Sequence, residues 1–196
     1  MDVFRTIAVP GASARGEWQR LRALHATSGL YPVVMGDDES AGRLLEPRDE
    51  EPGSDAITIL HEAGMLIAPD WFADRLHTEQ QGNDDVDWLK IEPWSATSTP
   101  VETPTVLHGA NGRPHKQVHI ALLPILRPSD AFAVLGWGGW NDCPYPAEHV
   151  SLHAYWADRF GSEVFAITDC EVECLVANPP SEIALCNDLA VQHALY

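Results

Sequence analysis

Residues 146–176 read PAEHVSLHAYWADRF, then G, then SEVFAITDCEVECLV, and this run decides the fold. Pro146 suits the first turn of a helix, where its missing N–H would have had no intrahelical partner. The helix runs to Phe160, and Gly161 ends it, because glycine takes the left-handed cap conformation cheaply. Two strand-like segments follow, Glu163 to Thr168 and Glu171 to Val176, and they predict an antiparallel hairpin across Thr168-Asp169-Cys170. Upstream, KQVHIALL at 116–123 alternates into an apolar run and predicts a central strand. Helix and hairpin in this order point to an α+β architecture.

Around this run the same signals continue. Ser129 is placed to cap a short helix over residues 131–135, with Asp130 in its first turn. Pro179-Pro180 breaks the chain before a last helix, Glu182 to Leu195. In the N-terminal half, Glu17 to Thr27 reads as an amphipathic helix. Trp18, Leu21, Leu24 and His25 share one face, Arg20 and Arg22 turn to water, and Ser28-Gly29 stops it. Tyr31 to Met35 reads as a buried strand closed by Gly36-Asp37-Asp38. Arg43 to Ser54 is a charged, proline-broken loop. Asp55 to Glu62 fits either a strand or a helix, Pro69 to Leu76 a helix, and Gln80 to Asp87 is polar. The fold class expected is α+β, with a mixed or antiparallel sheet flanked by helices and an acidic, loop-rich N-terminal part. Glu92 to Pro104 has the composition of a linker. The boundary is therefore placed between an N-terminal α/β segment, 1–95, and a C-terminal core, 96–196.

Composition narrows the classes of function. The chain has 196 residues, 29 acidic against 12 basic side chains, and a formal charge of −17. Such a surface repels phosphate backbones, which argues against a nucleic-acid partner. The longest strongly apolar stretch, Ile120 to Leu126, falls far short of a membrane span of about 20 residues. The N-terminus carries Asp2 and too brief an apolar segment for a secretory signal. A soluble, cytoplasmic protein with no membrane partner is the expectation. Between Asp37 and Glu92 there are 16 acids against four bases, a net of −12, while the other residues carry 13 and eight, a net of −5. These are solvated loops or an acidic face for a basic protein partner.

No GxGxxG or GxxxxGK[ST] loop occurs, so a nucleotide fold is excluded. Cys143, Cys170, Cys174 and Cys186 show no CxxC pair, so a cysteine zinc site lacks its spacing. With no export signal they read as free thiols.

The segment GWGGWNDCP, residues 136–144, stands apart in composition. Its glycines permit backbone conformations closed to other residues, and Trp137 and Trp140 bring rigid faces with one donor each. Asn141 and Asp142 can bind backbone groups in a turn. The segment is either a buried turn that holds its neighbouring helices or a surface anchor for a partner. The binding residues nominated are Trp137, Trp140, Asn141 and Asp142.

RPSDAFAVLGWGGWNDCP, followed by EHVSLHAYWADRFGSEVFAITDCEVECLVANPP, resembles the bacterial family described as domain of unknown function 4253. The matching positions are Gly136, Trp137, Gly139, Asn141, Trp156, Arg159, Phe160, Gly161, Pro179 and Pro180, over roughly residues 117–195. A weaker likeness lies in LRALHATSGLYPVV. The resemblance implies that Trp156, Arg159, Phe160 and Gly161 frame the fold. It also implies a Cys-Pro-Asp turn, a further helix and a tryptophan-rich ending beyond the last helix. The sequence stops at Tyr196, so a short or truncated member is expected. The family brings no activity with it.

An enzymatic alternative centres on Cys143. It precedes a proline-started helix whose N-terminus would favour a thiolate. His149 or His153 would act as base, with Asn141 or Asp142 orienting it, in a cysteine-hydrolase arrangement. His149 and His153, four apart, share a helix face, but HExxH is absent and no third ligand can be named, so no metal and no cofactor are expected. His115 and His119 straddle a loop and a strand. The leading expectation is a non-enzymatic, acidic protein-binding module, of the immunity type that neutralises a basic toxin or partner. The alternative is a small cysteine-dependent hydrolase or thiol enzyme at Cys143 and His149.

Overall fold

The computed structural model describes residues 4–46, 55–82 and 104–196. Its sheet has five strands in the order β1-β3-β2-β4-β5. These are β1 Arg5–Val9, β2 Tyr31–Val34, β3 Val118–Leu123, β4 Ser162–Ile167 and β5 Val172–Val176. The flanking helices are α1 Gly11–Ser28, α2 Asp38–Leu44, α3 Ala56–Ala63, α4 Ala68–Gly82, α5 Ala131–Leu135, α6 Pro146–Phe160 and α7 Ile183–Leu195. The fold is α+β with a mixed sheet: β2 and β4 run parallel, and every other neighbouring pair is antiparallel. β1 and β2, from before residue 95, alternate with β3 and β4, from after it, and β5 lies at the edge beside β4.

β2 is central although it contains Pro32, which has no N–H for a ladder. Its parallel pairing with β4 is confined to Val34 opposite Ala166. Side chains close the rest of that seam. The Tyr31 hydroxyl donates to the Val164 carbonyl at 2.7 Å, and the Trp18 indole N–H donates to the Pro32 carbonyl at 2.9 Å. Trp18 packs on Phe165 with ring centroids 5.1 Å apart, which seats α1 against the sheet.

The N-terminal half departs from the sequence expectations in several places. β1 has no strong sequence signal because it is an edge strand with Arg5, Thr6 and Ala8 exposed. α1 starts six residues earlier than expected, where the Gly11 N–H donates to the His115 carbonyl at 3.1 Å. Leu24 is exposed, and Arg22, partly open to water, also lies over the Tyr31 ring and pairs with Glu163. Gly29 closes α1 in the left-handed conformation, as expected.

Arg43 and Leu44 belong to α2, whose first turn is capped by Asp37 accepting the Ser40 N–H. Residues 47–54 of the expected loop lie outside the described residues. Asp55 settles the next segment as a helix, since its carboxylate accepts the N–H groups of Ile57 and Thr58. α4 continues to Gly82, and residues 83–87 and 92–103 lie outside the described residues. Ser129 is no helix cap but a buried residue of a 3₁₀ turn, Pro128–Asp130; there Asp130 accepts the Arg127 N–H. The helix over 146–160, its Gly161 stop, the hairpin and the last helix stand as expected.

Two apolar clusters result. The larger joins the sheet to α1, α3, α5 and the start of α6. The smaller, built on Phe72, Leu152, Trp156, Phe160 and Leu195, joins α4, α6 and α7. The candidate site lies on α6 between them. No helix among the described residues is long and apolar enough to cross a membrane.

Candidate functional site

α6 begins after Tyr145, and Glu148 fastens its first turn. One carboxylate oxygen accepts the Tyr145 N–H and the other the Trp71 indole N–H, both at 2.7 Å. With the helix start set, spacing of four and then three puts His149, His153 and Trp156 on its inward face. His149 is fully buried and His153 nearly so. Phe132 of α5 covers both rings, with centroids 5.0 Å from His149 and 4.5 Å from His153.

Five polar groups form a continuous chain here. The Cys143 Sγ lies 3.3 Å from His149 Nε2, and His149 Nδ1 lies 2.6 Å from the Tyr196 hydroxyl. That same hydroxyl lies 2.8 Å from His153 Nε2, and His153 Nδ1 lies 3.6 Å from the Cys174 Sγ. Tyr196 reaches this position because α7 packs along α6, where the Trp156 indole N–H donates to Gln192 Oε1 at 2.8 Å.

Burial makes every member neutral. Loss of hydration lowers His149 to about 3, and lowers His153 likewise to about 3, with His149 and His193 adding to the effect on His153. The Tyr196 phenol is pushed up by burial and then by the neighbouring thiols. Burial raises Cys174 to about 11. Cys143 is also raised: burial is the main cause, the Gly139 N–H opposes it, and Glu148 adds to it. The thiolate expected before α6 is therefore not favoured, because desolvation outweighs the helix terminus.

The chain brings Cys143 and His149 together, but Asn141 and Asp142 are not the groups that orient the imidazole. Both are exposed on the turn, with Asn141 in the left-handed region at φ 52°. Tyr196 orients His149 instead. Trp137 is only 5% exposed and donates its indole N–H to the Thr168 carbonyl at 2.7 Å, so it is a core residue and offers no surface. Trp140 is half-buried and meets Trp137 edge-on, with centroids 4.9 Å apart. Tyr145, which sequence reasoning passed over, is 67% exposed at the end of the same turn. Of the residues expected to frame the fold, Phe160 is buried and Arg159 is exposed. Trp156 is buried, Arg159 lies over the Tyr155 and Phe160 rings, and Gly161 caps α6 at φ 61°.

Sequence reasoning also missed Tyr196 and Cys174. They stand 47 and 21 residues from the histidines they meet, and no local pattern joins them. Among the described residues no group of three His, Cys, Asp or Glu side chains could hold a metal ion. Two open crevices lie elsewhere. One, of about 270 Å³, is lined by Gly64, Ser151 and Tyr155; the other, of about 300 Å³, by Asp37, His115 and Thr168. Neither is lined by Cys143 or His149.

Residues 119–196, which hold all of β3 but its first residue, β4, β5, α5 to α7 and the whole five-group chain, match the family model described as Domain of unknown function (DUF4253). The match covers the C-terminal part, where the sequence resemblance was found. No curated protein matches the chain. No solved structure matches it either.

Proposed function

We infer that the chain is a non-enzymatic, acidic protein-binding module whose contact element is the turn from Gly139 to Tyr145. The observation that carries this reading is a contrast in burial within thirteen residues, 137–149. Trp137 and His149 are buried, while Asn141, Asp142 and Tyr145 between them are exposed. A rigid base under exposed polar and aromatic tips limits the entropy lost on binding, and tyrosine is favoured at such contacts. The charge of −17 adds attraction for a basic partner and speeds encounter. In its finer form the reading is an immunity-type protein of the cytoplasm that neutralises a basic toxin.

The test compares partner capture by the wild type with capture by a variant carrying Asp142→Lys and Tyr145→Ala, at low and at high salt. A basic protein held by the wild type at low salt, released by salt and lost from the variant, is the expected result. A captured set indifferent to both changes overturns the reading.

One observation favours a second reading, a cysteine-dependent hydrolase or thiol enzyme. The 3.3 Å approach of the Cys143 Sγ to His149 Nε2, with His149 held in turn by a third group, is the arrangement of an activated nucleophile. The raised thiol and the buried, neutral imidazole weigh on the other side. Rapid alkylation of Cys143 near neutral pH would favour the enzyme.

A further inference from the structure

The five-group chain has a direction, and the Pro144 carbonyl sets it. That oxygen accepts the Gly139 N–H at 2.8 Å, which closes the turn. It also converges with His149 Nε2 on the bare side of Gly138. A Cβ built on Gly138 would stand 2.4 Å from the Pro144 oxygen and 2.7 Å from that nitrogen. A carbonyl can only accept, so beside this oxygen a ring N–H meets an acceptor where a lone pair would not. A neutral imidazole has one N–H, so Nε2–H leaves Nδ1 as an acceptor.

The remaining protons then have no freedom. Tyr196 donates its O–H to His149 Nδ1 across 2.6 Å, and its oxygen accepts from His153 Nε2–H across 2.8 Å. His153 Nδ1 is left as an acceptor, facing the Cys174 S–H at 3.6 Å. At the other end the Cys143 sulfur faces a ring N–H, with no lone pair to take its proton. The reverse order would leave two acceptors, the Nε2 lone pair and the Pro144 oxygen, on the same side of Gly138 with no proton between them.

We propose that Tyr196 is the positioning residue of the Gly139–Tyr145 turn: its hydroxyl locks His149 and His153 as Nε2–H tautomers and ties the turn, through Pro144 and Cys143, to β5 and α7. The contact role of the turn rests on the function inferred above. The coupling does not, because it stands on the Tyr196 contacts to both rings and on the nearness of the Pro144 oxygen to His149 Nε2.

Histidine-selective ¹⁵N spectra of the full chain near neutral pH test the order directly. The expected result is a protonated Nε2 and an unprotonated Nδ1 for both His149 and His153. In Tyr196→Phe, the ¹⁵N resonances of both rings shift, and alkylation of Cys143 rises about fivefold relative to Cys186, the factor one ordinary hydrogen bond sets. A ring that merely filled space would leave those resonances in place. An Nδ1–H tautomer at His149 in the wild type overturns the proposal and favours the thiol-enzyme reading. Unchanged His149 resonances and Cys143 labelling in Tyr196→Phe also overturn it. The expected spectra and labelling, with partner capture by Tyr196→Phe undiminished, uphold the coupling and count against the turn as the contact.

Discussion

Gly138 lies against the His149 ring, so close that a methyl group in place of its hydrogen would stand 2.6 Å from Cδ2. Its φ of 118° is also a backbone conformation that side chains rarely adopt. The same turn contains Gly136 in the left-handed region at φ 56°, with open space where a Cβ would go. The two glycines therefore predict different costs. Gly136→Ala should lose about 1 kcal/mol, the conformational penalty alone. Gly138→Ala should lose about 3 kcal/mol or more, since overpacking against a backbone oxygen and a buried ring is added. Urea unfolding of the two variants checks the order; equal losses would contradict the close approach.

The two buried histidines give stability a pH dependence whose sign follows from their lowered values. Both are neutral when folded, down to about 3, and return to an ordinary value near 6.5 when the chain unfolds. Their contribution is fully present above about pH 6.5 and falls away as pH drops toward 3. The unfolded chain gains up to two more protons than the folded one, so stability should fall by as much as about 2.7 kcal/mol per pH unit in that window. Ring-proton spectra should show both rings without inflection from pH 8 down to the unfolding transition. An inflection near pH 6 from either ring in the folded protein would contradict their burial.

Glu148 joins α6 to α4 through two hydrogen bonds, to the Tyr145 N–H and the Trp71 indole. Glu148→Ala removes both, one of them a charge-assisted bond at the helix start, and should cost about 2 kcal/mol. Glu148→Gln keeps an acceptor for one partner and should cost less. Chemical denaturation followed by far-ultraviolet circular dichroism measures both, and a Gln variant as unstable as the Ala variant would contradict this account of Glu148.

The C-terminal half was legible in the sequence because its signals are local. Pro146 and Gly161 mark the ends of α6 directly, and Thr168-Asp169-Cys170 reads as the turn between two strand-like runs. β1 and α2 were not legible. β1 is five residues at a sheet edge, and its partner β3 lies more than 100 positions away. α2 is seven residues, and its start signal, Asp37, also reads as the end of a strand. The site divides in the same way. Cys143 and His149 lie six apart across a turn and could be paired by inspection, whereas Tyr196 arrives only through the docking of α7 on α6. The thiolate expected at Cys143 failed for a related reason: helix position is local, but the burial that overrides it is tertiary.

Cysteine reactivity follows from the same burial. Cys170 is exposed, while Cys174 lies beneath His153 with its thiol raised to about 11. Cys170 should therefore be labelled well before Cys174 in the native protein, as peptide mass mapping at successive times would show. Simultaneous labelling would contradict the closed state of the chain's Cys174 end.

The alkylation rate of Cys143 in the native wild type near neutral pH, set against its rate in the urea-unfolded chain, tests the central claim most directly. A neutral, closed chain that braces a binding turn predicts a native rate below the unfolded one, since only the thiolate reacts and burial disfavours it. A native rate above the unfolded one would contradict the account and make Cys143 and His149 a reactive pair.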